Sequence, residues 1–335
     1  MIAATPAAAA PRLAFLGVGW IGQKRLEALV GSGAARAVAI ADPCADGLAR
    51  ARTIAGDARV AGSLDELLRE PVDGLVIATP SGLHASQAIA ALDRGIAVFC
   101  QKPLACSAAD AQEVVDAARR ADRLLGLDLS YRHLAAAEAM RRVLSSGGLG
   151  HVFAVEATFH NAYGPSGAWC RDRQRAGGGC VIDLGVHLVD LVLWLLDYPE
   201  VTDVSAQLFC AGRRYQRDAD EVEDYATCQL RLGGGAAVSV TCSWFLPAGQ
   251  DAVIRVACYG TRGGVVLENV NGSFVDFAAW RLDGAARAPL AAPPDDWGGR
   301  AAITWARRLA SDPRFDQDAE RYVTVADVLD RIYAS

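Results

Sequence analysis

The chain has 335 residues, enough for about two domains, with 52% hydrophobic and 21% charged residues, which is ordinary for a globular enzyme and argues against disorder. The 33 basic and 39 acidic residues give a net charge of -6 with no basic block, which argues against nucleic acid or an anionic membrane as partner. Nine cysteines are scattered singly without a CxxC pair and five histidines lack metal-ligand spacing, so neither a disulfide framework nor a metal site is expected, and a reducing cytoplasm fits best.

Residues 1–11 form an Ala/Pro tail without a basic n-region, which reads as a disordered tail and not as a signal peptide. Leu13 to Leu16 is a short apolar run ending in Gly17-Val18-Gly19-Trp20-Ile21-Gly22. A helical stretch follows to Val30, then a second apolar run from Ala37 to Ala41 that ends at Asp42. Strand, glycine turn, helix, strand and an acid 20 residues past Gly22 make a dinucleotide fingerprint. Gly17 permits the tight turn, Gly19 lets backbone approach a pyrophosphate, and Gly22 lets the helix pack on the strand. The helix N-terminus with Trp20 and Ile21 offers free N–H groups to phosphate. Asp42 accepts from the ribose hydroxyls and repels a 2′-phosphate, so NAD is expected over NADP; Arg50 and Arg52 lie nearby in sequence and would reverse this if they folded back.

The alternation continues. A short helix is expected over 64–69, a strand over 74–78 ending in Thr79-Pro80-Ser81, and a helix over 83–94. A strand over 97–100 ends in Gln101-Lys102-Pro103, Ser107 caps a helix reaching Arg120, and a last strand covers 124–128. This is a doubly wound parallel sheet, a Rossmann domain over 12–129, whose ligands sit beyond the carboxyl ends of its strands, where Thr79, Gln101 and Lys102 lie. Lys102 and Lys24 are the only lysines among the 33 cations, so a lysine here is worth noting as a group that titrates.

The pattern changes in 130–335, expected to be a substrate-binding and oligomerisation domain. A helix over 134–145 precedes a strand over 151–159. Then comes Gly177-Gly178-Gly179 and an apolar stretch to Leu196, read as one buried helix, too short and too polar to span a bilayer. On a regular helix Asp183, His187 and Asp190 would fall within a wedge of roughly 60°. A polar stripe on a buried helix is either a satisfied network or an acid/base pair facing a pocket. Alternating runs over 201–209, 225–232, 236–245, 253–259 and 273–277 indicate a mostly antiparallel sheet with one covered face. Helices over 297–309 and 319–332 close the chain. A sheet face carrying Val238, Val240, Cys242 and Trp244 and left uncovered would be an apolar patch, which predicts a homodimer or homotetramer.

Taken together, the N-terminal fingerprint, Gln-Lys-Pro at a strand end and GGGxxxDxGxHxxD resemble the Gfo/Idh/MocA oxidoreductases, the relatives of glucose-fructose oxidoreductase and myo-inositol dehydrogenase. The resemblance covers nearly the whole chain. It implies a Rossmann domain joined to an open-faced antiparallel sheet domain, NAD as cofactor, and hydride transfer on a sugar, sugar nucleotide or inositol. It implies that Lys102 contacts nicotinamide and the substrate hydroxyl, and that Asp183 and His187 act on the substrate side. Thr79, Pro80, His84 and Gln101 match the stretch lining the cofactor, although the family usually has glutamate where this chain has Gln101. Asp190 reads as structural, while Tyr131, Arg132, Asn161, Trp169 and Arg171 sit on segments expected to border the substrate. Two other classes stay open: an enzyme using bound NAD transiently to cleave glycosides, and a non-catalytic NAD- or sugar-binding regulator.

Overall fold

The computed structural model describes residues 9–216 and 221–335, so most of the expected N-terminal tail lies outside the described residues. The chain divides into two compact units.

The first unit comprises residues up to 104, 110–128 and 298–320. Its strands are β1 (Arg12–Leu16), β2 (Arg36–Ala41), β3 (Arg59–Val60), β4 (Gly74–Ile77), β5 (Ala97–Cys100) and β6 (Leu125–Leu127). They pair in parallel in the order β3-β2-β1-β4-β5-β6. Strands β1, β4 and β5 are nearly continuous apolar runs because helices cover both faces. The order reverses between β1 and β4, so a crevice for ligand lies at their carboxyl ends, at Gly17 and Thr79.

Placing all of 130–335 in a second domain misses a return of the chain. The helix Arg300–Ser311 belongs to the first unit, and its Trp305 fills the space over two strand glycines. A Cβ on Gly126 would lie 2.4 Å from the Trp305 ring, and one on Gly74 would lie 2.7 Å from it. Phe99 packs on the same indole at 5.5 Å between ring centroids.

The second unit comprises residues 105–109, 129–297 and 321–335. Among the described residues it holds a nine-stranded sheet: β7 (Val152–Asn161), β8 (Val201–Cys210), β9 (Arg213–Arg214), β10 (Tyr225–Leu232), β11 (Ala237–Ser243), β12 (Ala252–Gly260), β13 (Gly263–Asn269), β14 (Phe277–Asp283) and β15 (Ala286–Ala291). The order is β15-β14-β13-β12-β7-β11-β10-β8-β9, antiparallel except where β7 runs parallel to β11. Of the expected strand over 273–277 only Phe277 is strand, as the start of β14; 273–276 form a turn in which the Ser273 hydroxyl donates to Asp276 at 2.9 Å and accepts from the Val275 and Asp276 N–H groups. Strands β13 and β15 escaped the sequence reading: β13 is buried on both sides, β15 exposed throughout most of its length, and neither alternates.

One sheet face is covered. Val238, Val240, Cys242 and Trp244 are buried against the apolar side of the central helix Val186–Leu195 and its approach. They are therefore not the uncovered patch expected of them. The alternate residues Ser239 and Thr241 occupy the other face with Thr158, whose hydroxyl lies 3.2 Å from that of Thr241. On β11 the strand period of two puts Val238, Val240 and Cys242 on the helix side and the polar Ser239 and Thr241 on the other.

The buried stretch is continuously helical from Cys180 to Leu195, but it is not a regular α-helix. A short turn at Arg173–Ala176 precedes the three glycines, a π-helical turn spans Val181–Gly185, and the α-helix runs Val186–Leu195. By length and composition alone, Arg173–Leu195 is apolar enough to cross a membrane, contrary to the sequence reading, yet 89% of that window is buried within the protein. Each large apolar side chain it buries contributes about 1.5–3 kcal/mol.

Candidate functional site

In the first unit, the loop after β1 carries Gly17 at φ +86°. A Cβ there would lie 2.5 Å from the Ala78 carbonyl oxygen, so glycine is required both for conformation and for clearance from the end of β4. Nothing lies within 4 Å of where a Cβ on Gly19 would be. The backbone is thus open to a ligand at the start of the helix Trp20–Gly31, whose first N–H groups lack intrahelical partners. Trp20 is 77% exposed beside it. The Asp42 carboxylate is held by two backbone donors, Val18 N–H at 2.7 Å and Cys44 N–H at 2.8 Å. These residues fit a dinucleotide: an open N–H cradle for the pyrophosphate and a fixed carboxylate at the end of β2 for ribose.

The side chains at the ends of β4 and β5 are less available than expected. His84 is buried, with Nδ1 2.7 Å from the Pro103 carbonyl and Nε2 2.8 Å from the Thr79 carbonyl. Burial lowers its pKa, and the two carbonyls only partly oppose this. With both nitrogens turned to backbone carbonyls, His84 ties the two loops together. The Thr79 hydroxyl donates to Gln87 at 2.6 Å. Gln101 is also buried; its amide donates to Asp128, whose same oxygen accepts from Arg25 Nε. Glutamate at 101 would set a second carboxylate against Asp128, and the amide avoids that repulsion while supplying a donor. Gln101 therefore supports the strand end from behind. Arg25 and Asp128 were not identified from sequence, since neither carries a motif.

In the second unit, Asp183 sits in the π-helical turn and His187 one turn on, both half-buried. The Asp183 carboxylate accepts from the indole N–H of Trp244 at 3.1 Å. The His187 ring lies 4.8 Å from that of Tyr131, between centroids. Tyr131 is also close enough to Asp183 for the two charges to interact: burial chiefly, and then that carboxylate, push its phenol pKa up. Tyr131 further packs on Phe159, Phe277 and Trp297. It is an aromatic wall against which the histidine ring packs.

Asp190 parts company with the other two. It is 2% exposed and receives both Nε, at 2.8 Å, and Nη2 of Arg132. Burial lifts the Asp190 carboxyl above its usual range and Arg132 pulls it partly back. Burial tends to lower the Arg132 pKa, but the Asp190 charge outweighs it and the net shift is upward. Tyr198 lies under the same guanidinium at 5.6 Å. This fork is spent inside the protein, so Arg132 braces the helix instead of reaching substrate. Asn161 accepts from the Tyr163 N–H at 2.8 Å, shaping the end of β7. Trp169 and Arg171 lie in a 3₁₀ turn, with the Arg171 guanidinium 5.3 Å over the Phe245 ring. Phe245 takes φ +57°, an uncommon conformation for a bulky residue, directly after Trp244.

Two sequence models match this chain. Residues 12–129 match the one described as "Oxidoreductase family, NAD-binding Rossmann fold", and residues 137–266 match "GFO/IDH/MocA C-terminal domain". A putative UDP-kanosamine synthase oxidoreductase subunit from Amycolatopsis mediterranei (strain S699) is 32% identical over 73% of this chain and 72% of its own length. The chain belongs to the Gfo/Idh/MocA oxidoreductase family. It is also similar to the 1,5-anhydro-D-fructose reductase of Ensifer adhaerens, 32% identical over 62% of this chain and 61% of that one. The match thus spans about three fifths of that relative's length. Among solved structures, levoglucosan dehydrogenase in complex with NADH and levoglucosan has the same fold, with a TM-score of 0.79 and 21% identity over 97% of this chain and 96% of that one. The Rossmann unit of this family member is NAD-binding.

Proposed function

We propose that this protein is an NAD-dependent oxidoreductase that interconverts a carbinol and a ketone on a polyhydroxylated small molecule: a sugar, a sugar nucleotide or an inositol. The observation that carries the reading is the Asp183 carboxylate fixed by Trp244, one turn from a histidine braced by Tyr131, in a family member with an open dinucleotide cradle. The names of the relatives, a reductase of an anhydro sugar and a levoglucosan dehydrogenase, support the substrate class.

NAD supplies the hydride acceptor or donor. His187, whose imidazole titrates near neutral pH when unperturbed, takes the hydroxyl proton during oxidation and returns it during reduction. Asp183 accepts a hydrogen bond from a substrate hydroxyl on its oxygen not held by Trp244, which orients the sugar. Lys102 donates to the reacting oxygen and stabilises the charge that develops there. Tyr131 keeps the imidazole from rotating away, while Asn161, Trp169 and Arg171 border the sugar.

The test is a panel of aldoses, inositols and nucleotide sugars, followed by NADH absorbance in the forward direction and by its loss with keto sugars in reverse. Turnover of at least one, abolished in a Lys102→Met, His187→Ala double variant, is expected. Activity that survives the double variant would place the chemistry elsewhere. Absence of turnover with tight NAD binding would favour a regulator.

A further inference from the structure

The sequence motif singled out three glycines before Asp183 but gave them no task. Gly177, at φ +85°, abuts Cys106, whereas Gly178 and Gly179 leave room for side chains from distant parts of the chain. Glu223, fully buried just ahead of β10, directs its carboxylate at the start of the central helix. It accepts from Gly179 N–H at 3.0 Å and Val181 N–H at 2.9 Å, and its backbone carbonyl accepts from Cys180 N–H at 3.0 Å. The Tyr333 hydroxyl, from the helix Glu320–Ala334, donates to the same carboxylate at 2.7 Å. A Cβ on Gly179 would lie 1.9 Å from the Glu223 carbonyl oxygen, and one on Gly178 would lie 2.1 Å from the Tyr333 hydroxyl.

The next residue completes the arrangement. The Asp224 carbonyl accepts from Trp244 N–H at 2.7 Å, and Trp244 is the donor to Asp183. Glu223 therefore secures the turn that carries Asp183, and Asp224 secures the group that holds its side chain.

We propose that Glu223 and Tyr333 are positioning residues that fix Asp183 and His187 for the reaction, and that Gly178 and Gly179 are glycine to admit them. The proposal rests on the function assigned above. A helix start is ordinarily capped by a hydroxyl or carboxylate of its own first residue. Here the cap comes from 44 residues away in sequence and buries a carboxylate completely, which is costly. A local serine would satisfy the same N–H groups at less cost. What the distant acid adds is registry: the π-helical turn is located by the sheet, not by its own helix. Displacement of a reacting group by about 1 Å costs on the order of a hundredfold in rate.

Tyr333→Phe and Glu223→Gln test this. Hydrogen exchange of the unliganded protein should accelerate in peptides covering 178–187 and stay unchanged across β8. On the panel compound turned over best by the parent, kcat should fall about tenfold or more for Glu223→Gln and less for Tyr333→Phe, with NADH affinity by fluorescence unaltered. Glu223→Asp, too short to reach, should not restore it. If Glu223→Gln fails to fold, Tyr333→Phe decides alone. Unchanged exchange, or a lowered melting temperature with kcat within about twofold of the parent, would reduce the pair to a structural cap and overturn the proposal. Should the parent turn over nothing in the panel, the proposed function fails, whereas the exchange measurement still decides whether the clamp holds the turn.

Discussion

Trp244 donates its indole N–H to the Asp183 carboxylate across 3.1 Å, from the strand side of the second unit to the π-helical turn. The indole is nearly buried, so this donor cannot be replaced readily by water. Trp244→Phe keeps an aromatic filler and removes the donor. Its expected effect is about a tenfold loss in kcat/KM, equivalent to about 1.4 kcal/mol, with NADH affinity unchanged. Steady-state kinetics with a parallel NADH titration decide it; a variant indistinguishable from the parent would show that the bond does not matter for turnover.

For the proposed oxyanion and acid/base groups, Lys102→Met and His187→Ala should each lower turnover by about 10²-fold or more, the scale of a lost oxyanion-stabilising or proton-transfer group. NAD affinity should survive His187→Ala, since the pyrophosphate cradle lies at Gly17 to Gly22. Asp183→Asn should mainly raise KM. A His187→Ala enzyme retaining most of its kcat would remove that residue from the mechanism.

Cofactor preference follows from Asp42. Its two backbone donors, Val18 N–H and Cys44 N–H, pin a negative charge at the end of β2, where a 2′-phosphate would meet it. NADP(H) should bind at least about tenfold more weakly than NAD(H), a Coulomb penalty of about 1.4 kcal/mol. Arg50 and Arg52 are exposed on the helix Ala45–Ala55. Fluorescence titration giving equal affinities would mean that one of them compensates.

The Arg132–Asp190 fork should matter for stability more than for substrate. Arg132→Met strands a buried carboxylate, an expected loss of about 3–5 kcal/mol in urea unfolding. Arg132→Met combined with Asp190→Leu removes both charges and should regain most of it. If the double variant is no more stable than the single one, the pair is not the cause of the loss.

Glu223 gives a pH dependence with a definite sign. Burial raises its pKa, with the Val181 N–H, the Tyr333 hydroxyl and the Gly179 N–H pulling it partly down. A carboxyl whose folded pKa exceeds its unfolded one binds its proton more tightly in the folded state. Its contribution to stability is full below the ordinary carboxylate range and is lost as pH rises through the folded pKa. Asp190 contributes in the same direction. The parent should therefore gain more in melting temperature than Glu223→Gln does on moving from neutral pH to about pH 5. An identical slope in both would show that Glu223 does not titrate between folded and unfolded states.

The alternation of strand and helix, the glycine turn after β1 and the acid at the end of β2 were legible in the sequence because each depends on local rules. Hydrophobic period, backbone conformation and spacing along one βαβ unit decide them without distant partners. So was the presence of a mostly antiparallel second sheet, through its period of two. The sequence could not show that Arg300–Ser311 returns to the first unit, since only the volume above Gly74 and Gly126 demands Trp305 there. Nor could it show which sheet face is covered: alternation separates Val238 and Val240 from Ser239 and Thr241 but does not say where the helix lies. The polar stripe was visible, but its division was not. A regular helix would keep Asp183, His187 and Asp190 together, whereas the π-helical turn shifts the first of them and Arg132 claims the last. The partners of Asp183, Gln101 and Gly179 are Trp244, Asp128 and Glu223, each distant in sequence. Side-chain pairing across elements carries no periodic signal, so only the tertiary structure could decide it.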